Sequence, residues 1–460
     1  MGITTQIIGL ILSLSILVFV HELGHYFFAR IFKTRVEKFY LFFNPGFSIL
    51  RMKKIEGKWN FSFFSTKSPQ LFKEHSESTE WGIGWLPLGG YCSIAGMVDE
   101  TTKAGDLPAE PQPWEFRAKP AWQRLLIIIG GVLVNFVTAL ILYVAILFTW
   151  GDEYIPMQNA KYGLYFSEVA QNEGFKTGDE IVSVDGKTYE RLGDFATSLL
   201  VDDVTRVEVL RDNQKDTVYL SGDFAQKVLA SGEQAFCQFN FPFIVDSVVN
   251  GSVAEKAKLQ KNDSLVALND STIFSFFEFQ SYLQQLKNQP IKLVFCRNNK
   301  VDTVQTTLTD EGKLGVYPVS YVDLLGTKHV DYGFWSSIPN GIYKGFQKLG
   351  DYVKSFKLIF TKEGASQLGG FGTIGSIFPK EWNWEIFWNM TAFLSLILAF
   401  MNFLPIPALD GGYILFILVE IITRRKPSDK FIGYANTVGF ILLFALLIYA
   451  NGMDIFRAFK

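Results

Sequence analysis

Apolar and polar positions separate along this chain into long blocks. Four windows are uncharged: residues 1–20, 125–151, 386–409 and 431–453. Each is long enough to cross a bilayer, which takes about 20 helical residues for about 30 Å of hydrocarbon. Four spans predict both termini on one side. The first window runs straight into His21-Glu22 without the basic start and small-residue cleavage site of a signal peptide, so it is expected to be retained. Basic residues cluster after the first window (Arg30, Lys33, Arg35, Lys38) and between the third and fourth (Arg424, Arg425, Lys426). The bias of such residues towards cytoplasmic loops puts both stretches inside, and both termini and residues 152–385 outside.

Between the spans the period changes. In residues 31–120, Lys58-Trp59-Asn60-Phe61-Ser62-Phe63 alternates with a period of two and predicts strand. This region is expected to be a small β-subdomain on the bilayer. A sharper alternative is that Gly89-Gly90, after Pro87-Leu88, lets extended backbone approach a cleft and pair with a substrate strand. Residues 175–186 are echoed by 259–270, each a turn, an Asp, a short apolar strand and a second turn. Two copies of one β-rich module are therefore expected, over 152–235 and 236–320. Residues 333–362 carry apolar positions at helical spacing with Lys344, Lys348, Lys354 and Lys357 among them. They predict an amphipathic helix at the outer interface, within 321–380, in preference to a fifth span.

Composition narrows the class. The 460 residues carry a formal charge of −2, which argues against a nucleic-acid binder. Charged residues make up 19% and aromatics 16%, with 44 Phe, which argues for a part-membrane protein. Three cysteines, Cys92, Cys237 and Cys296, form no CxxC pair and exclude a thiolate zinc site. For Cys237 and Cys296, free thiols are favoured over a disulfide.

The chemistry concentrates in His21-Glu22-Leu23-Gly24-His25. On a helix, residues i and i+4 share a face, so both imidazoles reach one metal while Glu22 is offset towards a water. Two His and one further donor leave a fourth tetrahedral position open, as catalytic zinc requires. Polar residues in or beside the later spans are few: Asn135, Asn389, Asn402, Asp410, Glu420 and Asn436. Asp410 stands in Asn402-Phe403-Leu404-Pro405-Ile406-Pro407-Ala408-Leu409-Asp410-Gly411-Gly412, where two prolines break the helix. Unwound backbone at membrane depth is tolerated only where it lines a protein cavity. The topology puts His21, His25 and Asp410 near the cytoplasmic leaflet, which makes Asp410 the expected third ligand.

These residues resemble the site-2 protease family of intramembrane zinc metalloproteases, in particular its bacterial regulator-of-sigma-E type. The resemblance rests on His21, Glu22 and His25, on Leu409-Asp410-Gly411, on Pro87 to Tyr91 as a membrane-reentrant β-hairpin, and on the repeated modules as tandem PDZ domains. It implies a polytopic α-helical membrane protein of four transmembrane helices, with a reentrant β-hairpin or sheet and two periplasmic PDZ domains. Its parts would be the first span (1–30), the β region (31–120), the second span (121–151), the two PDZ domains and the interfacial region. A third span (384–410), a cytoplasmic loop (411–430) and a fourth span (431–460) complete the order.

The resemblance also implies one Zn2+ per chain and Glu22 as base. Substrate contacts would come from Asn402, Pro405, Gly89, Gly90 and Asn135, and Gly163, Leu164, Tyr165 and Phe166 would form a peptide-holding PDZ loop. The second module, near Phe241-Pro242-Phe243-Ile244, lacks such a Gly. Val132 stands where that family commonly has Pro, and Gly370-Phe371-Gly372 replaces Gly-Pro-Ile. Expected partners are the lipid bilayer and single-pass membrane proteins already trimmed by another protease, in the bacterial inner membrane. Rival readings are a PDZ scaffold with a vestigial metal site and a metal transporter; the ligands lie at one depth, which disfavours transport.

Overall fold

The computed structural model describes residues 2–87, 89–97, 110–233 and 235–459; Leu88 of the predicted hairpin lies outside them. Among the described residues, four helices are long and apolar enough to cross a membrane: Gly2–Ile31, Ala121–Trp150, Trp384–Phe403 and Asp429–Ala458. They are called here the first to fourth apolar helices. The chain divides into two compact units, one holding these helices and residues 331–352, the other holding residues 152–330 and 353–367.

In the first unit, the first and second apolar helices cross at glycines. A Cβ on Gly24 would collide with the Gly130 carbonyl, and one on Gly130 would lie 2.7 Å from the Gly24 carbonyl oxygen. Only hydrogen side chains let the two backbones approach this closely. After the first helix come β1 (Val36–Leu41), β2 (Ser48–Ile55), β3 (Lys58–Ser65), β4 (Glu80–Ile83) and β5 (Tyr91–Ile94). They form one sheet in the order β3-β2-β4-β1-β5, with β1 and β4 parallel. Its interior is pinned by a buried ion pair, Arg51 Nη1 to Glu80 Oε1 at 2.8 Å. The Tyr40 and Ser68 hydroxyls also donate to Glu80, so the buried carboxylate is well supplied with donors.

The expected third span is shorter than its apolar window. The helix stops at Phe403, because Pro405 and Pro407 remove backbone donors, and residues 404–409 form a non-helical link. Residues 411–430, expected to be a loop, instead open on a 14-residue helix, Asp410–Thr423. Arg124 of the second helix grips this helix through Glu420.

Helix Phe334–Phe356 is amphipathic as expected, yet it is more than a surface helix. Ser337, Gly341 and Gly345 form a buried small-residue face, and a Cβ on Gly341 would lie 2.6 Å from the Val144 backbone. Phe334 meets Phe148 at 5.8 Å and Phe346 meets Phe136 at 5.5 Å, so the helix runs antiparallel along the second apolar helix.

In the second unit one hydrogen-bond pattern occurs twice. Asp179 and Asp263 are both fully buried, and each accepts two bonds from one arginine: Arg211 at 2.7 and 2.8 Å, Arg297 at 2.7 and 2.6 Å. Each also accepts a backbone N–H three residues earlier, from Lys176 and Gln260. Separate apolar cores, one around Phe166, Phe175 and Phe195 and the other around Phe243, Phe279 and Phe295, complete the two modules; Cys237 and Phe239 pack in the first core, so the first module runs past the expected boundary at 235. Cys237 and Cys296 are free thiols.

Candidate metal centre

The last turns of the first apolar helix bring His21 and His25 onto one face, as a spacing of four dictates. Their Nε2 atoms are 3.3 Å apart. Asp410, at the start of helix Asp410–Thr423, places Oδ2 3.2 Å from His21 Nε2 and 3.4 Å from His25 Nε2. The three donors thus form a nearly equilateral triangle. Tetrahedral zinc with bonds of about 2.0–2.1 Å requires ligand atoms about 3.3–3.4 Å apart, so the triangle fits that ion. Asp410 Oδ2 is buried and receives no hydrogen bond, which suits an atom whose partner is a cation.

The second apolar helix orients both imidazoles. His25 Nδ1 lies 2.9 Å from the Ile127 carbonyl, so it donates there and leaves Nε2 free for metal. Asn135 is fully buried and its amide meets His21 Nδ1 at 3.3 Å. Asn135 Oδ1 otherwise has no partner, and a half-turn of the amide sets it against an Nδ1–H. Asn135, expected to contact substrate, is enclosed beside a histidine, and its backbone carbonyl accepts from the Ser395 hydroxyl.

Gly131, whose importance the sequence did not disclose, lets the histidines lie against this helix. A Cβ there would lie 2.7 Å from His21 Cε1 and 2.8 Å from His25 Cε1. The Gly130-Gly131 pair four residues before Asn135 was the available signal.

Glu22 accepts a backbone hydrogen bond from Cys92 on β5, the edge strand of the sheet. Gly90, just before that strand, passes so close to the first helix that a Cβ would lie 2.8 Å from Val18 and 3.6 Å from Glu22 Cγ. Gly90 is thus brought beside Glu22, whereas a Cβ on Gly89 would meet the Phe43 ring. Asn402 sits in the last turn of the third apolar helix, and Pro405 is exposed in the link to Asp410.

The proposed peptide loop fares otherwise. Leu164, Tyr165 and Phe166 form a strand paired with Cys237–Phe239, and Leu164 and Phe166 are fully buried. The Leu164 N–H donates to Asp179 and its C=O accepts from Gly178, while a Cβ on Gly163 would strike the Gly178 carbonyl. The segment is one strand of a two-stranded sheet, and on its other side the Leu164 backbone is already paired, so no edge is open at Leu164 for an incoming peptide. Its Tyr165 instead stacks on Phe277 at 4.9 Å, beside a cavity of about 380 Å³ lined also by Gln238, Gln280 and Gln284.

Apolar helices around a two-histidine, one-carboxylate triangle with an adjacent glutamate define a membrane metallohydrolase. The sequence profile of Peptidase family M50 matches residues 9–67 and 63–446, and the chain belongs to that family. It is 26% identical to a Borreliella burgdorferi protein named as a zinc metalloprotease, over 96% of each chain. It is also 26% identical to a Vibrio cholerae protein of the same name, over 98% of each. Identity is 25% to a protein of Enterococcus faecalis named as the protease eep, over 98% of this chain and 99% of that one. The protein is a zinc-dependent membrane protease of the site-2 protease family.

Proposed function

We propose that the chain hydrolyses peptide bonds within single-pass transmembrane helices, with zinc held by His21, His25 and Asp410 and with Glu22 as general base. The observation that carries this reading is the 3.2–3.4 Å donor triangle just past the uncharged stretch of the first apolar helix, with Glu22 beside it. Zinc bound there supplies a Lewis acid and lowers the pKa of water towards neutrality. Glu22 takes the proton of the attacking water and passes it to the leaving amine. The Cys92 N–H keeps its carboxylate aimed while the proton moves.

A helix in lipid has every backbone amide paired, so the substrate unwinds before cleavage. The edge of β5 with Gly89 and Gly90 receives the unwound strand, and the Asn402 amide with the Pro405 turn orients the scissile carbonyl. Arg30, Lys33, Arg35, Lys38, Arg424, Arg425 and Lys426 support a centre near the cytoplasmic leaflet of a bacterial inner membrane. The second unit then lies outside as a tandem of PDZ domains that gates access for substrates already trimmed by another protease. A scaffold with a vestigial metal is disfavoured, because a structural site closes its fourth position with a protein ligand.

The test is cleavage of a reporter helix by the reconstituted protein. Glu22→Gln is expected to retain zinc and lose cleavage, and full activity would remove Glu22 from its role. Asp410→Ala is expected to lose zinc, and stoichiometric zinc in that variant would place the third ligand elsewhere.

A further inference from the structure

The link that delivers Asp410 is bent in a way its sequence does not favour. Ala408, two residues before the carboxylate, has φ of +74°, the left-handed region that glycine enters freely and alanine does not. Such a residue persists only where its surroundings hold it. The holding group comes from the fourth apolar helix: the Ala408 N–H donates to Asn436 Oδ1 at 3.3 Å, and Asn436 Nδ2 donates to the Tyr413 hydroxyl at 3.0 Å. One amide thus clamps both sides of Asp410, the turn before it and the helix after it. Three residues along the same helix, Gly439 lies under the link, and a Cβ there would collide with the Pro407 carbonyl.

This contact is specific. Only 6% of the apolar stretch of the fourth helix is buried, so general packing contributes little to where it sits. Its other polar anchorage, Asn451 and Asp454 on the 370–373 turn, lies at the far end of the helix.

We propose that Asn436 is a positioning residue of the metal centre: by holding Ala408 in its left-handed turn, it keeps the Asp410 carboxylate at ligand distance from His21 and His25, with Gly439 providing the close approach this requires. The proposal rests on the reading that Asp410 is a zinc ligand.

The experiment follows zinc release from the purified full-length protein, loaded with one equivalent, into excess chelator. Asn436→Ala is expected to release zinc about tenfold faster, the scale of a lost left-handed preference. Asn436→Asp, which still accepts from Ala408 N–H and can accept from Tyr413, should release at close to the native rate. The decisive variant is Asn436→Ala combined with Ala408→Gly. Glycine holds the turn unaided, so the double variant should return to within about twofold of native, whereas Gly439→Ala, a steric fault, should release zinc quickly with or without Ala408→Gly. Native-rate release from Asn436→Ala, or a double variant as fast as the single, would overturn the proposal. Asp410→Ala separates the two levels. If it keeps zinc, the ligand assignment has failed and the proposal falls with it; if it loses zinc while Asn436→Ala does not, only the positioning role has failed.

Discussion

Alanine at Gly131 adds one methyl group where the second apolar helix meets the two histidines. The new carbon would lie 2.7 Å from His21 Cε1 and 2.8 Å from His25 Cε1. Carbon atoms in contact prefer about 3.5–4.0 Å, so the rings or the helix must give by about 1 Å. Metal–ligand distances tolerate about 0.2 Å, and the donor edges of 3.2–3.4 Å leave no slack to absorb the shift. Overpacking of this kind costs about 1–3 kcal/mol, which at about 1.4 kcal/mol per decade is roughly 5- to 150-fold in zinc affinity. Chelator competition on purified protein measures it. Gly9→Ala is the control: its Cβ would lie 2.9 Å from the Phe378 ring, a similar crowding away from the metal. It should lower thermal stability and leave zinc affinity unchanged. Native zinc affinity in Gly131→Ala, or equal weakening in Gly9→Ala, would refute the reasoning.

Other outcomes follow from packing and charge. Burial pushes Asp263 up, but the Arg297 fork and the Gln260 N–H hold its carboxyl below the usual value of 3.8. The unfolded chain therefore binds that proton more readily, and the pair's stabilisation is present above about pH 3.8 and fades as pH falls through the depressed folded value. Asp263→Asn should cost about 2–4 kcal/mol at pH 7 and flatten acid unfolding of the second unit, followed by hydrogen exchange; an unchanged acid limb would contradict this. Gly341→Val puts a branched side chain against the Val144 backbone and should cost about 1–3 kcal/mol, seen as a lower thermal midpoint in detergent. Burial pushes the Cys237 thiol up to about 12, so a maleimide at pH 7.5 should label the half-buried Cys296 well before it. Equal labelling rates under native conditions would show that the first module opens.

Much was legible before any coordinates because membrane constraints are written in composition. Uncharged windows of about 20 residues announce apolar helices, a His spacing of four fixes a shared face, and an Asp-centred repeat predicts duplicated turns. The helix ends were less legible. The apolar run from Ile386 to Leu409 hides a break that Pro405 and Pro407 impose, and the run after Asp410, too short to cross a bilayer, reads as part of a loop although it is the helix Asp410–Thr423. The 163–166 segment reads as a loop and folds as a strand for a related reason: whether a Gly-containing apolar stretch is loop or strand depends on which strands flank it.

Local pattern along the chain was enough for the four apolar helices, the His21–His25 pair with Glu22 between them, and the echoed turns of the two modules. Packing set the 3.2–3.4 Å distances at which the expected ligand Asp410 closes the triangle, the room that Gly131 leaves and the approach of Asn135 to His21. It alone brought the Cys92 N–H to Glu22 and Asn436 to Ala408. These are contacts between residues far apart in the chain, and no local pattern encodes a distance that depends on how closely two helices or a helix and a strand can approach.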